Sequence, residues 1–255
     1  MRLHLLSFPA LRRAALPLAL MLTTTLLSGC ALIMPMATTQ QTKRAPAAPL
    51  ESKPTPSPAE QGEAITRKTS EPYTGDLSIF ENAEREKNLQ IYRVMDILGI
   101  REGASVADIG AGSGWFTVRA AQRVGTAGTV YAVEINSDFV KHIEQRAAKE
   151  KFNNIRAVLG REDDPVLPAQ SVDAVLILKT YHEITQPIRV LTKLKQAMRP
   201  GARLGIIDRN GAGDDHGLNR ETVIKEAERA GFSPLEEHDF VKPDGMDYFL
   251  VFRAK

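Results

Sequence analysis

Three glycines and two acidic residues are spaced so that they could bind a nucleoside. Gly110, Gly112 and Gly114 follow Asp108 at alternate positions, and Glu134 lies 24 residues after the first glycine. Glycines let a backbone turn tightly and approach a ligand closely, and a carboxylate at the end of the next strand can accept hydrogen bonds from ribose hydroxyls. This spacing predicts a site for an adenosine-type cofactor.

The glycine spacing disfavours a nicotinamide cofactor. The fingerprint G-x-G-x-x-G would place its third glycine at position 115, where this chain has Trp115 followed by Phe116. Bulky side chains there prevent the close approach of helix and strand that the third glycine serves. An NAD(P)-dependent oxidoreductase is therefore a disfavoured alternative.

A second group of polar residues follows the apolar run Val172–Leu178. His182 is the candidate base, because an imidazole with its ordinary pKa of about 6.5 suits proton transfer near neutral pH. Glu183 could orient His182 or bind a substrate amine, and Tyr181 could present its ring to a cation. In the competing interpretation, Tyr181 and His182 pack at the base of the next helix, and Glu183 interacts favourably with its N-terminal dipole.

Together these motifs resemble class I S-adenosylmethionine-dependent methyltransferases, over roughly Phe80 to Phe252. The Tyr-His-Glu triplet is similar to that of a bacterial subgroup of predicted methyltransferases. The resemblance implies that the glycine loop borders the amino-acid part of the cofactor and that Glu134 binds its ribose. It also implies that an acid after the third strand approaches the adenine. The implied cofactor-binding residues are Asp108, Gly110, Ala111, Gly112, Gly114, Glu134, Ile135 and either Asp163 or Asp164.

Several of these residues have a structural alternative. Asp163 or Asp164 could serve the turn before Pro165, and Trp115 and Ile135 could pack in the core instead of flanking the cofactor.

The segment Asp208–Gly217 supplies further candidates, with Arg209 and His216 as the weaker ones. Asp208 and Asn210 resemble the metal ligands of catechol-type O-methyltransferases. Because the fourth strand ends without a matching aspartate, no metal site is predicted.

The elements that must position these residues alternate between strands and helices. Continuous apolar strands between amphipathic helices predict a mostly parallel sheet covered on both faces, and ligands bind such sheets beyond the carboxyl ends of the strands. We expect an α/β, Rossmann-like class I methyltransferase fold with seven strands and a late antiparallel strand. The predicted elements are helices at 78–98, 115–124, 138–151, 186–198 and 220–230 and strands at 104–109, 129–134, 155–159, 172–178, 204–208, 235–241 and 248–252.

The first seventy residues predict export and anchoring. Three arginines precede the uncharged stretch Ala14–Leu27, which is too short to span a bilayer as a helix and is typical of a signal peptide. It ends at Leu27-Ser28-Gly29-Cys30, which resembles a bacterial lipobox and places the chain's single cysteine at the lipidation position. We therefore expect a signal peptide at 1–29, a disordered Pro/Ala/Thr-rich spacer at 30–72 and a methyltransferase domain at 73–255. The alternative is a cytoplasmic protein with an apolar extension.

Charge and compartment limit the function. Residues 73–255 hold 25 Lys and Arg against 27 Asp and Glu, so no basic surface for nucleic acid is expected. We expect a periplasm-facing lipoprotein, with Ala31 favouring the outer membrane, that methylates a small-molecule or lipid-like acceptor. Because S-adenosylmethionine is not known to be supplied outside the cytoplasm, the alternative is a non-catalytic envelope module that binds a nucleoside or another small ligand. No oligomeric state is predicted.

Overall fold

The computed structural model describes residues 66–69, 72–212, 216–242 and 244–255, and its strands alternate with helices as predicted. Short 3-10 helices span Leu77–Glu81 and Tyr181–Glu183. The longer elements in chain order are α1 (Glu84–Leu89), α2 (Ile91–Leu98), β1 (Ser105–Ile109), α3 (Trp115–Val124), β2 (Thr129–Glu134), α4 (Ser137–Glu150), β3 (Ile155–Leu159), β4 (Val172–Leu178), α5 (Pro187–Ala197), β5 (Met198–Arg209), α6 (Arg220–Arg229), β6 (Phe232–His238) and β7 (Asp247–Ala254).

The seven strands form one sheet in the order β3-β2-β1-β4-β5-β7-β6. Neighbouring strands from β3 to β5 pair in parallel, whereas β7 is antiparallel to both β5 and β6. The prediction of a mostly parallel, seven-stranded sheet with a late antiparallel strand is confirmed.

Strand β4 shows why the sheet is buried on both faces. Ala174 and Leu176 belong to one hydrophobic cluster, which also contains buried side chains of α2, α3 and α4. Val175 and Ile177 belong to a second cluster, together with side chains of α5 and α6. Successive strand residues point to opposite faces, so the run from Ala174 to Leu178, which is apolar at every position, requires helices on both sides.

The helix predicted over 78–98 is wrong as a single element. Asp76 accepts a hydrogen bond from the Ser78 backbone N–H and begins a 3-10 turn, and the left-handed residue Gln90 separates α1 from α2. Of the apolar residues that suggested one helix, Ile79 and Tyr92 are exposed. The buried side chains come instead from Leu89 onward, so helical spacing extended the prediction too far toward the N-terminus.

Residues 66–69 lie in the predicted spacer but dock onto the sheet domain through Arg67. Its backbone N–H donates to the Thr185 carbonyl, and its guanidinium donates to the carbonyls of Tyr181 and Ile184 at 2.8 and 3.0 Å. It also forms a 3.1 Å ion pair with Glu226, which is buried. Arg67 therefore ties the segment ahead of the domain to the residues that follow β4.

The predicted signal peptide, Cys30 and the spacer up to residue 65 lie outside the described residues. None of the helices that the structure describes is long and apolar enough to cross a membrane.

Candidate functional site

The carboxyl ends of the central strands meet at one edge of the sheet. Ile109 of β1 is in register with Val133 of β2 on one side and Ile177 of β4 on the other. The segments that follow these three strands therefore emerge together at the centre of the sheet. Both predicted groups of functional residues lie there, the glycine loop after β1 and the Tyr-His-Glu segment after β4.

The glycine loop turns tightly over the end of β2. The backbone N–H groups of Gly110 and Ala111 donate to the carbonyl of Val133, at 2.9 and 3.2 Å. Gly110 has a φ of +70°, and a Cβ added there would lie 2.3 Å from the Thr180 side chain. Glycine is required at this position both by the left-handed backbone and by the close approach of the segment after β4.

The close approach of Thr180 to Gly110 predicts that a larger residue at position 110 destabilises the fold. Gly110→Ala is expected to lower the free energy of unfolding by about 2–4 kcal/mol, because left-handed strain adds to overpacking against Thr180. Gly103→Ala is the matched control, since Gly103 has a φ of +78° but nothing within 4 Å of an added Cβ. It should cost about 1–2 kcal/mol from strain alone. Urea unfolding of both variants tests the difference, and equal losses would contradict it.

Glu134 lies at the end of β2 with its carboxylate on the glycine loop. One oxygen accepts a 2.6 Å hydrogen bond from the Gly112 backbone N–H, and the other accepts a 3.1 Å bond from the Ile135 N–H. Burial raises the pKa of Glu134 against the lowering effect of these N–H groups. Each oxygen keeps a second lone pair, so the carboxylate can still accept hydrogen bonds from ribose hydroxyls.

Asp108 lies inside the domain beneath the loop. The side chain is buried, and one of its oxygens accepts a 2.6 Å hydrogen bond from the Thr117 hydroxyl of α3. Burial raises the pKa of Asp108 to about 7, and nearby Glu134 adds to the rise, whereas Thr117 and Arg85 oppose it. The geometry supports a link between β1 and α3, and the implied contact of Asp108 with a cofactor stays a prediction.

The buried carboxyl group of Asp108 predicts that stability depends on pH. Its pKa is 3.8 in the unfolded chain and about 7 in the fold, so between these values only the folded state holds the proton. The free energy of unfolding should therefore fall as pH rises from about 4 to 7, by up to about 4 kcal/mol. Asp108→Asn should flatten this part of the stability curve. Because other buried carboxyls remain in both proteins, the difference between their urea-unfolding curves reports Asp108, and identical curves would contradict the prediction.

The two acids after β3 are occupied by local contacts. An Asp164 oxygen accepts from the Val166 N–H at 2.8 Å, which is the turn role that was the alternative interpretation. Asp163 forms a 3.3 Å ion pair with Arg189. The implied contact of Asp163 or Asp164 with the adenine stays a prediction.

The two apolar candidates differ. Ile135 is exposed directly after Glu134, as a residue flanking a cofactor would be. Trp115 is buried in the core, where the guanidinium groups of Arg85 and Arg119 lie 4.6 and 4.0 Å from its ring centroid. The core-packing alternative therefore describes Trp115.

His182 forms a buried pair with Asp208 of β5. Nδ1 of His182 lies 2.9 Å from one Asp208 oxygen, and the His182 backbone N–H donates to the other oxygen at 2.9 Å. The Arg209 N–H donates to the same carboxylate. A carboxylate at Nδ1 fixes the tautomer that carries its proton there, which leaves a lone pair on Nε2. This arrangement suits a base, the role predicted for His182.

Glu183 lies on the other side of the imidazole, with Oε1 at 3.8 Å from Nε2 of His182. Burial raises the pKa of Glu183 to about 7, His182 opposes the rise, and Glu134 and Asp208 add to it. Glu134 at the end of β2 and Asp208 of β5 thus both act on Glu183, which follows β4. Such a concentration of acids favours a cationic ligand.

The position of Tyr181 is not consistent with the predicted contact between its ring and a cationic ligand. Its ring is fully buried, its hydroxyl donates to Glu226 at 2.8 Å, and the Arg67 guanidinium lies 5.3 Å from the ring centroid. Burial raises the pKa of this hydroxyl well above its ordinary value. Tyr181 therefore serves packing, because its available polar and aromatic contacts are already made.

The sequence interpretation missed the residues that cover the glycine loop. The Ser113 hydroxyl donates to Glu81 at 2.6 Å, and Arg146 of α4 bonds both Glu81 and the Ser113 carbonyl. The Phe80 ring lies 3.7 Å from the position of a Cβ at Gly112. These contacts join residues far apart in the chain, so no local pattern could reveal them.

Residues 100–231 match a protein family described as "Methyltransferase domain". Nocamycin O-methyltransferase of Saccharothrix syringae is 30% identical over 114 residues, which cover 45% of this chain and 41% of that protein. The ubiquinone/menaquinone biosynthesis C-methyltransferase UbiE of Hahella chejuensis is 29% identical over 115 residues, which cover 45% of this chain and 46% of that protein. The matched segment spans less than half the length of these two curated relatives.

Solved structures share the fold. A SAM dependent methyltransferase from Aquifex aeolicus superposes with a TM-score of 0.64 and 23% identity, covering 71% of this chain and all of that one. The [4+2]-cyclase SpnF superposes with a TM-score of 0.56 and 16% identity, covering 66% of this chain and 80% of that one. At these identities the similarity concerns the fold alone.

Proposed function

Because this chain belongs to the methyltransferase-domain family, whose cofactor is S-adenosylmethionine, we propose that it methylates a small-molecule or lipid-like acceptor. The observation that carries the proposal is the position of Glu134. Its carboxylate accepts a 2.6 Å hydrogen bond from the Gly112 N–H, which joins the carboxylate proposed to bind the ribose to the glycine loop at the centre of the sheet.

The residues at this edge fit the chemistry of the cofactor. Glu134 would accept hydrogen bonds from the ribose hydroxyls, and the Gly110–Gly114 loop would border the amino-acid part. The exposed side chain of Ile135 is available to the adenine. When bound, S-adenosylmethionine supplies an electrophilic methyl group on a positively charged sulfur, which the carboxyl groups of Glu134 and Glu183 favour electrostatically.

On the acceptor side, the chain supplies a proton acceptor. Nε2 of His182 would take the proton that an acceptor hydroxyl or amine loses as it is methylated. Asp208 holds the imidazole and stabilises the positive charge that it gains, since the carboxylate is buried beside Nδ1. The glycine loop and the His182 segment emerge from adjacent strands, so both sides of the reaction are positioned by the rigid centre of the sheet.

The charge of the domain supports the proposed class of acceptor. The domain predicted over 73–255 holds slightly more acidic than basic residues, so a nucleic-acid backbone is a poor acceptor. A small or lipid-like molecule does not require a basic surface.

Isothermal titration with S-adenosylmethionine and its demethylated product tests the proposal. We expect saturable binding of both, with one molecule per chain. No binding at millimolar concentrations would overturn the proposal. Co-purification of a different nucleoside would instead support the non-catalytic binding module.

We also propose that the chain is held at the cell envelope through a lipid on Cys30. Cys30→Ala is expected to move the protein from the membrane fraction to the soluble fraction and to abolish labelling by a radioactive fatty acid. The control is Ser28→Ala, which keeps a small residue ahead of the cysteine. Unchanged fractionation and an absence of label in the unaltered protein would exclude the anchor.

A further inference from the structure

Two imidazoles and one carboxylate converge beyond the ends of β4 and β5. His182 and Glu183 belong to the 3-10 helix after β4, and His216 lies in the loop after β5. One ligand atom from each residue lies within 4.8 Å of the other two, and Nε2 of His182 is 3.8 Å from Oε1 of Glu183. A metal ion binds such atoms at about 2 Å, so small side-chain movements would bring all three to one ion.

The loop after β5 is folded so that His216 reaches this position. The Leu218 N–H donates to the Arg209 carbonyl at 2.8 Å, and a Cβ added at Gly217 would lie 2.8 Å from the same carbonyl oxygen. Glycine at 217 thus lets the chain return closely along the end of β5. The rings of His216 and His182 are then 5.9 Å apart between centroids, at 87° to each other.

Asp208 provides an independent observation that favours an ion. Histidines that bind metals commonly donate their second ring N–H to a carboxylate, which fixes the tautomer and makes the ligating nitrogen more basic. Asp208 is buried, lies 2.9 Å from Nδ1 of His182, and so leaves Nε2 as the free nitrogen, 3.8 Å from Glu183.

We propose that His182, Glu183 and His216 bind a divalent transition-metal ion of the Zn²⁺ or Co²⁺ type, with Asp208 as a positioning residue. Two nitrogens and one carboxylate oxygen form the donor set of such ions, whereas Mg²⁺ and Ca²⁺ prefer oxygen ligands alone. The fourth coordination position would remain open to water or to an acceptor oxygen.

The expected absence of a metal site rested on a different pattern. That pattern is the ligand set of catechol-type O-methyltransferases, which resembles Asp208 and Asn210 but needs an aspartate at the end of the fourth strand. The proposed site uses His182 and Glu183 after that strand and takes its third ligand from a loop. The inference concerns ion binding and does not depend on the proposed function. An ion and a proton compete for Nε2 of His182, so the ion-loaded chain would not use this nitrogen as a base.

The test uses the full chain without a polyhistidine tag, carrying Cys30→Ser to remove its single thiol. After treatment with a chelator, Zn²⁺ binding is measured by calorimetry and Co²⁺ binding by visible absorption. We expect one ion per chain, an affinity at least about tenfold lower in both His216→Ala and Glu183→Gln, and no displacement by excess Mg²⁺. Because the His216 side chain is exposed, its replacement should leave the fold intact, which circular dichroism checks.

The chain contains a matched control. Nε2 of His238 lies 3.1 Å from a Glu236 oxygen, so His238→Ala removes another histidine beside a carboxylate. This variant should bind ions as the unaltered chain does. The proposal would be overturned if the chain bound no ion, or if the His216 and Glu183 variants bound it as tightly as the unaltered chain. It would also be overturned if the His238 variant lost as much affinity as they do, or if Mg²⁺ displaced the ion.

Discussion

Replacing His182 by alanine is expected to lower the rate of methyl transfer by about 10²–10⁴-fold, while the affinity for S-adenosylmethionine stays within about twofold. The imidazole is held by Asp208 on one side and presents Nε2 on the other, and Glu134 and the glycine loop are the groups assigned to the cofactor. Removing the imidazole therefore removes the proton acceptor without removing a predicted contact to the cofactor.

The rate is measured as radioactive methyl incorporated from the cofactor into an extract of small molecules and lipids from the source cells. His142→Ala is the control, because His142 lies exposed on α4. One outcome would instead support the interpretation that His182 packs at the start of the next helix. If His182→Ala lowers the melting temperature and the cofactor affinity together, the residue stabilises the end of β4 rather than acting in the reaction.

Replacing Glu134 by alanine is expected to weaken cofactor binding by about 1–3 kcal/mol, or roughly 5–150-fold in Kd. The substitution removes the proposed acceptor of the ribose hydroxyls. It also leaves the Gly112 N–H without its 2.6 Å partner, so the loop loses one of its supports. Glu134→Gln keeps an oxygen that can accept and should bind with intermediate affinity.

Calorimetry with S-adenosylmethionine measures this effect, and Glu144→Gln, exposed on α4, is the matched control. Together with His182→Ala, this experiment separates the residues that bind the cofactor from those that act on the acceptor. The Glu134 variant should change mainly the Kd, and the His182 variant mainly kcat. An unchanged Kd in Glu134→Ala would mean that its carboxylate serves only the loop.

The central strands could be predicted from sequence because most of their residues are apolar and because polar or glycine residues follow them. The predicted bounds of β2, β3, β4 and α3 agree with the structure. The N-terminal helices could not be predicted as well, since Gln90 adopts a left-handed backbone that helical spacing does not reveal. There, tertiary contacts rather than periodicity decide which side chains are buried.

The site was predictable only in its parts. Glu134 and the glycines share a local motif, so their proximity follows from the fold. The pairing of His182 with Asp208 joins residues 26 positions apart and depends on the stagger of β4 against β5. The approach of His216 depends on a loop, whose path hydrophobic patterning does not specify.

The ion pair between Arg67 and Glu226 matters to anyone who shortens this protein for expression. A fragment starting at residue 73 would match the domain boundary suggested by composition, yet it would leave Glu226 buried without its counter-ion beside the Tyr181 hydroxyl. Removing one partner of a buried pair costs about 3–5 kcal/mol, a large part of the stability of an ordinary domain. A shortened version should therefore keep the chain from residue 66 onward.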